Sequence, residues 1–350
     1  KVGLNWQVTP TIRARGNTGT AFRAPGLFEL FRSEVPLYRN QLLLDPCSQW
    51  GFNPSENVRA NCAAEGIPAD YLPTGLTEVA YVQKPLQPET SEAYTLGLVY
   101  TPTWIDMKIS LDYFDIEIHD EITELSEARI LASCYQAEIG DNDFCNLFER
   151  RAATDPTAPF AIDRIEWFDI NIARQWQRGL SFAFEHHREV DIGAFDFELG
   201  IDWFLERERS EFGEEFESGI DTDQLNGLLG FPSVTASGNV SFTRNDWTVS
   251  WSTAFLGRTD SNRLSALDYN EPQDYFGQAA QYKAYAEAHY EHTLAVEWTG
   301  NVWSVSAGIA NVFDEQPPYV SRAVSPLGNV PIGNYDLNGR TFQFSLGRKF

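Results

Sequence analysis

Apolar and polar residues alternate one by one along much of the chain. In residues 341–350, Phe342, Phe344, Leu346 and Phe350 share one parity, while Thr341, Gln343, Ser345, Gly347 and Lys349 hold the other. Side chains of an extended strand point alternately to opposite faces, so a period of two predicts a strand with one greasy and one polar face. The pattern recurs upstream. Val2, Leu4, Trp6 and Val8 alternate with Gly3, Asn5 and Gln7, and after a turn at residues 9–10 Ile12, Ala14, Gly16, Thr18, Thr20 and Phe22 oppose Arg13, Arg15 and Asn17. A third strand carries Tyr94, Leu96, Leu98 and Tyr100. A fourth, over 108–119, carries Ile109, Leu111 and Tyr113, with a slip in parity at Phe114. A fifth runs from about 165 to Leu180, Phe182, Phe184 and His186. The sixth is the cleanest: Phe195, Phe197, Leu199, Ile201, Trp203 and Leu205 stand against Asp196, Glu198, Gly200, Asp202, Phe204 and Glu206, a set too acidic for a sandwich core. A seventh, at 233–243, meets a two-residue hairpin turn at Asn245 and Asp246. The eighth holds Trp247, Val249, Trp251 and Phe255, the ninth Leu294, Val296 and Trp298, and the tenth Trp303, Val305, Ala307 and Ile309.

Eleven strands are thus joined by connections that alternate strictly between short and long. The long ones include aperiodic stretches at 24–88 and 120–162, the second with a short helix near 127–135. Short turns at one end and long loops at the other are the pattern of a transmembrane barrel, whereas a sandwich turns at both ends alike. The expected fold is all-β, an antiparallel transmembrane β-barrel. With eleven strands the first and last run the same way and cannot close on each other, so further strands are expected. The chain also begins inside a strand pattern with no initiator or signal peptide, and Met107 is its only methionine. The expectation is a piece cut from within a larger protein.

Composition fits that reading. Aromatic residues make up 14% of 350, and no apolar run approaches the roughly 18 residues a membrane helix needs. A barrel is the other way to satisfy every backbone hydrogen bond in a bilayer. A formal charge of −24 argues against nucleic acid and reads as solvated acidic loops. The four cysteines lie in polar, loop-like segments without zinc-type spacing. Proximity suggests disulfides pairing Cys47 with Cys62 and Cys134 with Cys145, in an oxidising compartment.

Three stretches go beyond generic barrel logic. Residues 19–30 read GTAFRAPGLFEL, residues 86–97 LQPETSEAYTLG, and residues 311–319 NVFDEQPPY, followed by Tyr335, Asp336, Gly339, Arg340 and the terminal Phe350. In this order and at these distances they resemble TonB-dependent outer-membrane receptors. The resemblance implies the C-terminal half of the barrel, about 11 of about 22 strands, over the whole of 1–350, with the plug domain, TonB box and N-terminal strands upstream. Arg348 departs from the family ending, where an aromatic is common. An arginine there can snorkel to headgroups, so the departure implies at most slower recognition by the insertion machinery. The implied setting is the outer membrane of a Gram-negative bacterium. The implied activity is active uptake of a bulky, scarce ligand, driven by the TonB-ExbB-ExbD complex acting on the plug. A ferric siderophore leads, with cobalamin or an oligosaccharide as alternatives within the family. A passive channel or adhesin barrel is the runner-up, and a soluble secreted β-sandwich enzyme a third reading.

Candidate residues follow from these placements. Arg13 and Arg15 would face the lumen, as would Asp196, Glu198, Asp202 and Glu206. Pairing with plug or barrel charges is preferred there over ligand guidance, because lumenal arginine is normally paired. Trp50, Phe52 and Tyr71 in the first long loop, and Tyr275 and Phe276 in the fourth, are candidates for stacking on a ligand. Glu211, Glu214, Glu215, Glu217, Asp221 and Asp223 offer oxygen ligands for Ca²⁺ but lack a spaced calcium loop, so a solvated loop is preferred. His186 and His187 point to opposite faces, as do His289 and His292, so neither pair is a metal site. No catalytic motif and no cofactor are expected.

Overall fold

The computed structural model describes residues 1–33, 36–137, 142–210, 222–261, 273–275, 278–280, 283–321 and 334–349. Eleven strands form one antiparallel sheet in chain order: β1 (Val2–Gln7), β2 (Ile12–Arg23), β3 (Glu89–Tyr100), β4 (Met107–Leu125), β5 (Ile162–Val190), β6 (Gly193–Ser210), β7 (Val234–Arg244), β8 (Trp247–Leu256), β9 (His289–Thr299), β10 (Trp303–Ala310) and β11 (Thr341–Arg348). Among the described residues no pairing joins β11 to β1, so the sheet keeps two open edges. The turn at Asn245 has a φ of 51°, the left-handed backbone that a two-residue hairpin requires and asparagine tolerates. No helix among the described residues is long and apolar enough to cross a membrane.

Register makes the two faces continuous. One row of cross-strand partners runs Trp6, Ala14, Leu98, Leu111, Phe182, Ile201, Ala236, Phe255, Tyr290, and a second runs Met107, His186, Phe197, Val240, Trp251, Leu294, Ile309, Phe342. Between them they touch every strand, and nearly every member is apolar. The opposite face carries the row Asn5, Arg15, Gly97, Asp112, Ser181, Asp202, Thr235. Large apolar side chains such as Leu4, Leu96, Trp203, Trp247 and Phe344 stay more than half exposed on the first face. A surface this apolar and this extensive needs a cover other than water.

The departures from simple alternation are local. Phe114 is not a slip: pairing continues without a shift from Ile109 to Ile118, and Phe114 sits on the polar face opposite Thr95 and Gly179. The irregularity lies further on, between Ile118 and Ile122, where Asp120 has a φ of 54°. Strand β4 then continues to Leu125, and β5 begins at Ile162, so both are longer than their alternating parts.

The molecule's main buried core lies at the long-loop end. A bilayer-crossing strand takes about 9–11 residues, and β5 has 29. Its first part pairs in parallel with the strand Leu76–Tyr81, which pairs in turn with Leu37–Asn40, and Phe148–Arg150 adds to its other side. On this small sheet pack α1 (Glu56–Ala64), N-capped by Ser55, and α2 (Glu127–Gln136), N-capped by Ser126. Helix α2 buries Ile130 with Cys134 and Leu131 with Tyr135, pairs one helical turn apart that share a face. They meet Cys47, Val58, Cys62, Ile67, Phe144, Ile162 and Ile165 in one cluster. The segments read as irregular loops are therefore a folded cap.

Candidate functional site

Two regions carry groups able to meet a solute, the polar face and the cap. On the polar face, Arg15 forms a two-pronged pair with Asp112, at 2.7 and 2.5 Å. Asp202 accepts from Ser181 Oγ at 2.5 Å, and Asp196 meets His187 Nδ1 at 2.7 Å. Arg13 and Glu198 share this face and make no ion pair among the described residues. Glu206 does not share it. A register shift between Arg178 and Gly179 turns Glu206 to the face of Leu180, where it pairs with Arg178. The extra residue of a β-bulge reverses the parity beyond it, which plain alternation cannot reveal.

The cap is built around Arg150. Its Nη1 and Nη2 donate to the two Asp45 oxygens at 2.7 and 2.9 Å, Nη1 also donates to the Phe160 carbonyl at 2.6 Å, and Nη2 to Tyr135 Oη at 2.8 Å. Tyr135 in turn donates to Glu65 at 3.0 Å. The Asp45 side chain is fully buried and that of Arg150 is 9% exposed, so this pair has little solvent screening. Burial works against the Arg150 charge, but the Asp45 hydrogen bonds and charge outweigh it and hold the guanidinium protonated. Burial pushes Tyr135 well above the usual phenol range, with Arg150 opposing and Glu65 adding. Burial likewise raises Tyr81 to about 12, helped by Asp169.

The loop aromatics divide. Trp50 packs against the cap core and donates its indole N–H to the Ile67 carbonyl at 3.0 Å, and Tyr71 meets Phe160 edge-on at 6.1 Å. Phe52 is 86% exposed. Tyr275 ends the strand Gln273–Tyr275, but its side chain and Phe276 lie outside the described residues, as do Phe350, Glu211, Glu214, Glu215, Glu217, Asp221 and the side chain of Asp223. The cysteines bond as Cys47 with Cys62 and Cys134 with Cys145. Among the described residues no cluster of three or more His, Cys, Asp or Glu is placed to hold a metal ion.

A family model described as TonB dependent receptor-like, beta-barrel, matches residues 1–312. The chain belongs to the TonB-dependent receptor β-barrel family. Among solved structures, the ferric enterobactin receptor of Pseudomonas aeruginosa aligns over 99% of this chain and 39% of its own, at 17% identity and a TM-score of 0.56. The FrpB iron transporter from Neisseria meningitidis aligns over 98% and 38%, at 11% identity and a TM-score of 0.50. At these identities the likeness is one of fold, and the chain spans about two fifths of the length of those proteins. No curated protein matches the chain.

The stretches that resemble the receptor family make specific contacts with one another. Arg23, in the first, donates to Glu89, in the second, at 2.6 and 2.5 Å. It also reaches Glu29, which accepts the Gly26 N–H at 2.5 Å. Glu89 accepts the Ile122 N–H at 2.8 Å, at the irregularity of β4. At the other end, Asn311 and Glu315 exchange side-chain and backbone hydrogen bonds, and Asp314 accepts the Arg340 N–H at 2.9 Å. Gly339 has a φ of +66°, and a Cβ there would lie 2.8 Å from Asp314 Oδ1, so only glycine fits both constraints. These residues fasten strand ends, and the motifs they belong to say nothing of cargo.

Proposed function

We propose that the chain forms the C-terminal wall of an outer-membrane receptor barrel that imports a bulky extracellular ligand. The TonB-ExbB-ExbD complex supplies the energy, acting through an interior plug and TonB box that lie outside this chain. The observation that carries this is the pairing of an apolar band on one face with a polar opposite face across eleven strands, with a disulfide-stapled cap at the long-loop end. Such a sheet fits a lipid exterior and a wet interior. Disulfides fit the oxidising side of a cell envelope.

A ferric siderophore is the ligand class we assign. It is supported by relatives in fold that are named for ferric enterobactin and iron transport. In a strain deleted for the full-length gene, growth on the cognate ferric siderophore as sole iron source is expected to fail. It should return with the wild-type gene and not with a version lacking the TonB box. Normal growth of the deletion strain on every siderophore, with loss on cobalamin or an oligosaccharide, would contradict the ligand. Rescue without a TonB box would contradict energised uptake.

A further inference from the structure

Phe204 and Arg207 are three residues apart and would point to opposite faces of a regular strand. The bulge in β6 changes that. Phe204 pairs with Gly179 and Arg207 with Gln177, whose partners on β4 are Phe114 and Ile116, so both side chains project from the polar face. The Arg207 guanidinium carbon lies 3.8 Å from the centre of the Phe204 ring and 5.6 Å from that of Phe231. Phe114 meets Phe204 edge-on at 5.9 Å. The backbone is pinned as well: Leu225 and Asn226 donate to the Arg207 carbonyl at 2.8 and 3.1 Å, and Asn226 Nδ2 donates to the Phe204 carbonyl at 2.9 Å.

Among the described residues no carboxylate pairs with this arginine, its Nε is buried without an acceptor, and Asn226 Oδ1 is a buried acceptor without a donor. Arg15, Arg23, Arg150 and Arg178 each meet a carboxylate, and the chain holds 50 acidic residues against 26 Lys and Arg. Arg13 also lacks an ion pair among the described residues, but Arg207 is in addition seated on aromatic rings, and that combination sets it apart. Its flat guanidinium stacks on rings while keeping in-plane N–H donors for a planar anion. It also stands four residues beyond Trp203 of the apolar row, about 13 Å of strand at roughly 3.3 Å per residue, on the side of the long loops and the cap. Acidic residues far along the chain weigh little against an anion here, because at physiological salt exposed charges more than about 8 Å apart are largely screened.

We infer that Arg207, with Phe204, Phe231 and Phe114, forms a docking point on the inner wall near the outer mouth for an anionic group carried on a flat ring, an aryl oxide or aryl carboxylate of the incoming cargo. This rests on the uptake reading and specifies the cargo's chemistry. The test uses the full-length receptor in detergent, with Arg207→Ala and Arg207→Lys, and follows tryptophan quenching by two probes. One is a trianionic iron(III) tris-catecholate, the other a neutral iron(III) tris-hydroxamate. R207A should bind the tris-catecholate about ten-fold more weakly or worse, R207K should lose less, and binding of the neutral complex should not change. Equal tris-catecholate affinity in wild type and R207A would overturn the inference and leave the uptake reading standing, as would a wild type that binds only the neutral complex. A wild type that binds neither probe would overturn both the inference and the siderophore reading. Equal weakening of both probes in R207A, with a lowered heat-shift temperature, would assign Arg207 to a structural pair with the interior domain and also overturn the inference.

Discussion

Arg150→Ala will open the cap and leave the main sheet intact. The substitution removes both hydrogen bonds that Asp45 receives from the guanidinium, and among the described residues its fully buried carboxylate keeps only the Cys47 N–H at 2.9 Å. Removing one partner of a buried ion pair costs about 3–5 kcal/mol, because an uncompensated charge stays in a medium that solvates it poorly. The Phe160 carbonyl and Tyr135 Oη lose donors in the same step. A small cap core cannot absorb a loss of that size, whereas the eleven-strand sheet does not depend on it. Limited proteolysis of R150A should therefore cut within residues 36–81 and 126–161, while heat-dependent gel mobility stays that of wild type. Pairing R150M with D45L replaces both charges by apolar groups of similar reach and should restore much of the resistance. Wild-type resistance in R150A alone would show that the pair does not hold the cap together.

Loss of the Cys47–Cys62 bond is the second large effect. The bond closes a separation of 15 residues, and closing a loop of that length stabilises by about 3 kcal/mol in the chain-entropy description. Both cysteines are fully buried in the cap core, beside Val58 and Ile67. Replacing both with alanine isolates the cross-link. Replacing both with serine also buries two hydroxyls, at about 1–3 kcal/mol for each left unpartnered. Protease resistance of the cap in rising urea should thus fall for the alanine pair and further for the serine pair. The Cys134–Cys145 bond spans 11 residues and should matter slightly less. Peptide mapping without reductant should recover both pairs, and crossed pairs would contradict the cap's layout.

The eleven strands were legible because alternation is a local property. Any stretch such as 195–203 shows it without reference to the rest of the chain. Legibility ended where one face stopped being uniformly polar. Phe114 looked like a slip because an apolar residue had been placed on the polar face, where it meets Phe204. Simple alternation puts Glu206 on the wrong face because one extra residue in β6 reverses parity with no mark in the composition. The outer reaches of β4 and β5 lost their period because Leu125, Ile162, Ile165 and Phe168 are buried in the cap rather than set on a two-sided wall. The centre of the cap was invisible for a plainer reason. Asp45 and Arg150 are 105 residues apart, in segments with no period to read, and only folding brings them together. Nor does any period in residues 24–88 show that Trp50 packs against the cap core with its indole N–H on the Ile67 carbonyl. Arg207 and Phe204 could not be seen as neighbours without the bulge. The cysteine pairs, by contrast, were legible from proximity alone.

The apolar face as a lipid-facing wall can be tested most directly with tryptophan fluorescence. The full-length receptor would be reconstituted into bilayers carrying brominated acyl chains, in variants that keep one tryptophan of this chain at a time. Trp203, Trp247 and Trp251 share the apolar face, whereas Trp50 and Trp167 pack in the cap. The first three should be strongly quenched and the last two should keep their emission. Unquenched Trp203, Trp247 and Trp251 would show that this face does not meet lipid.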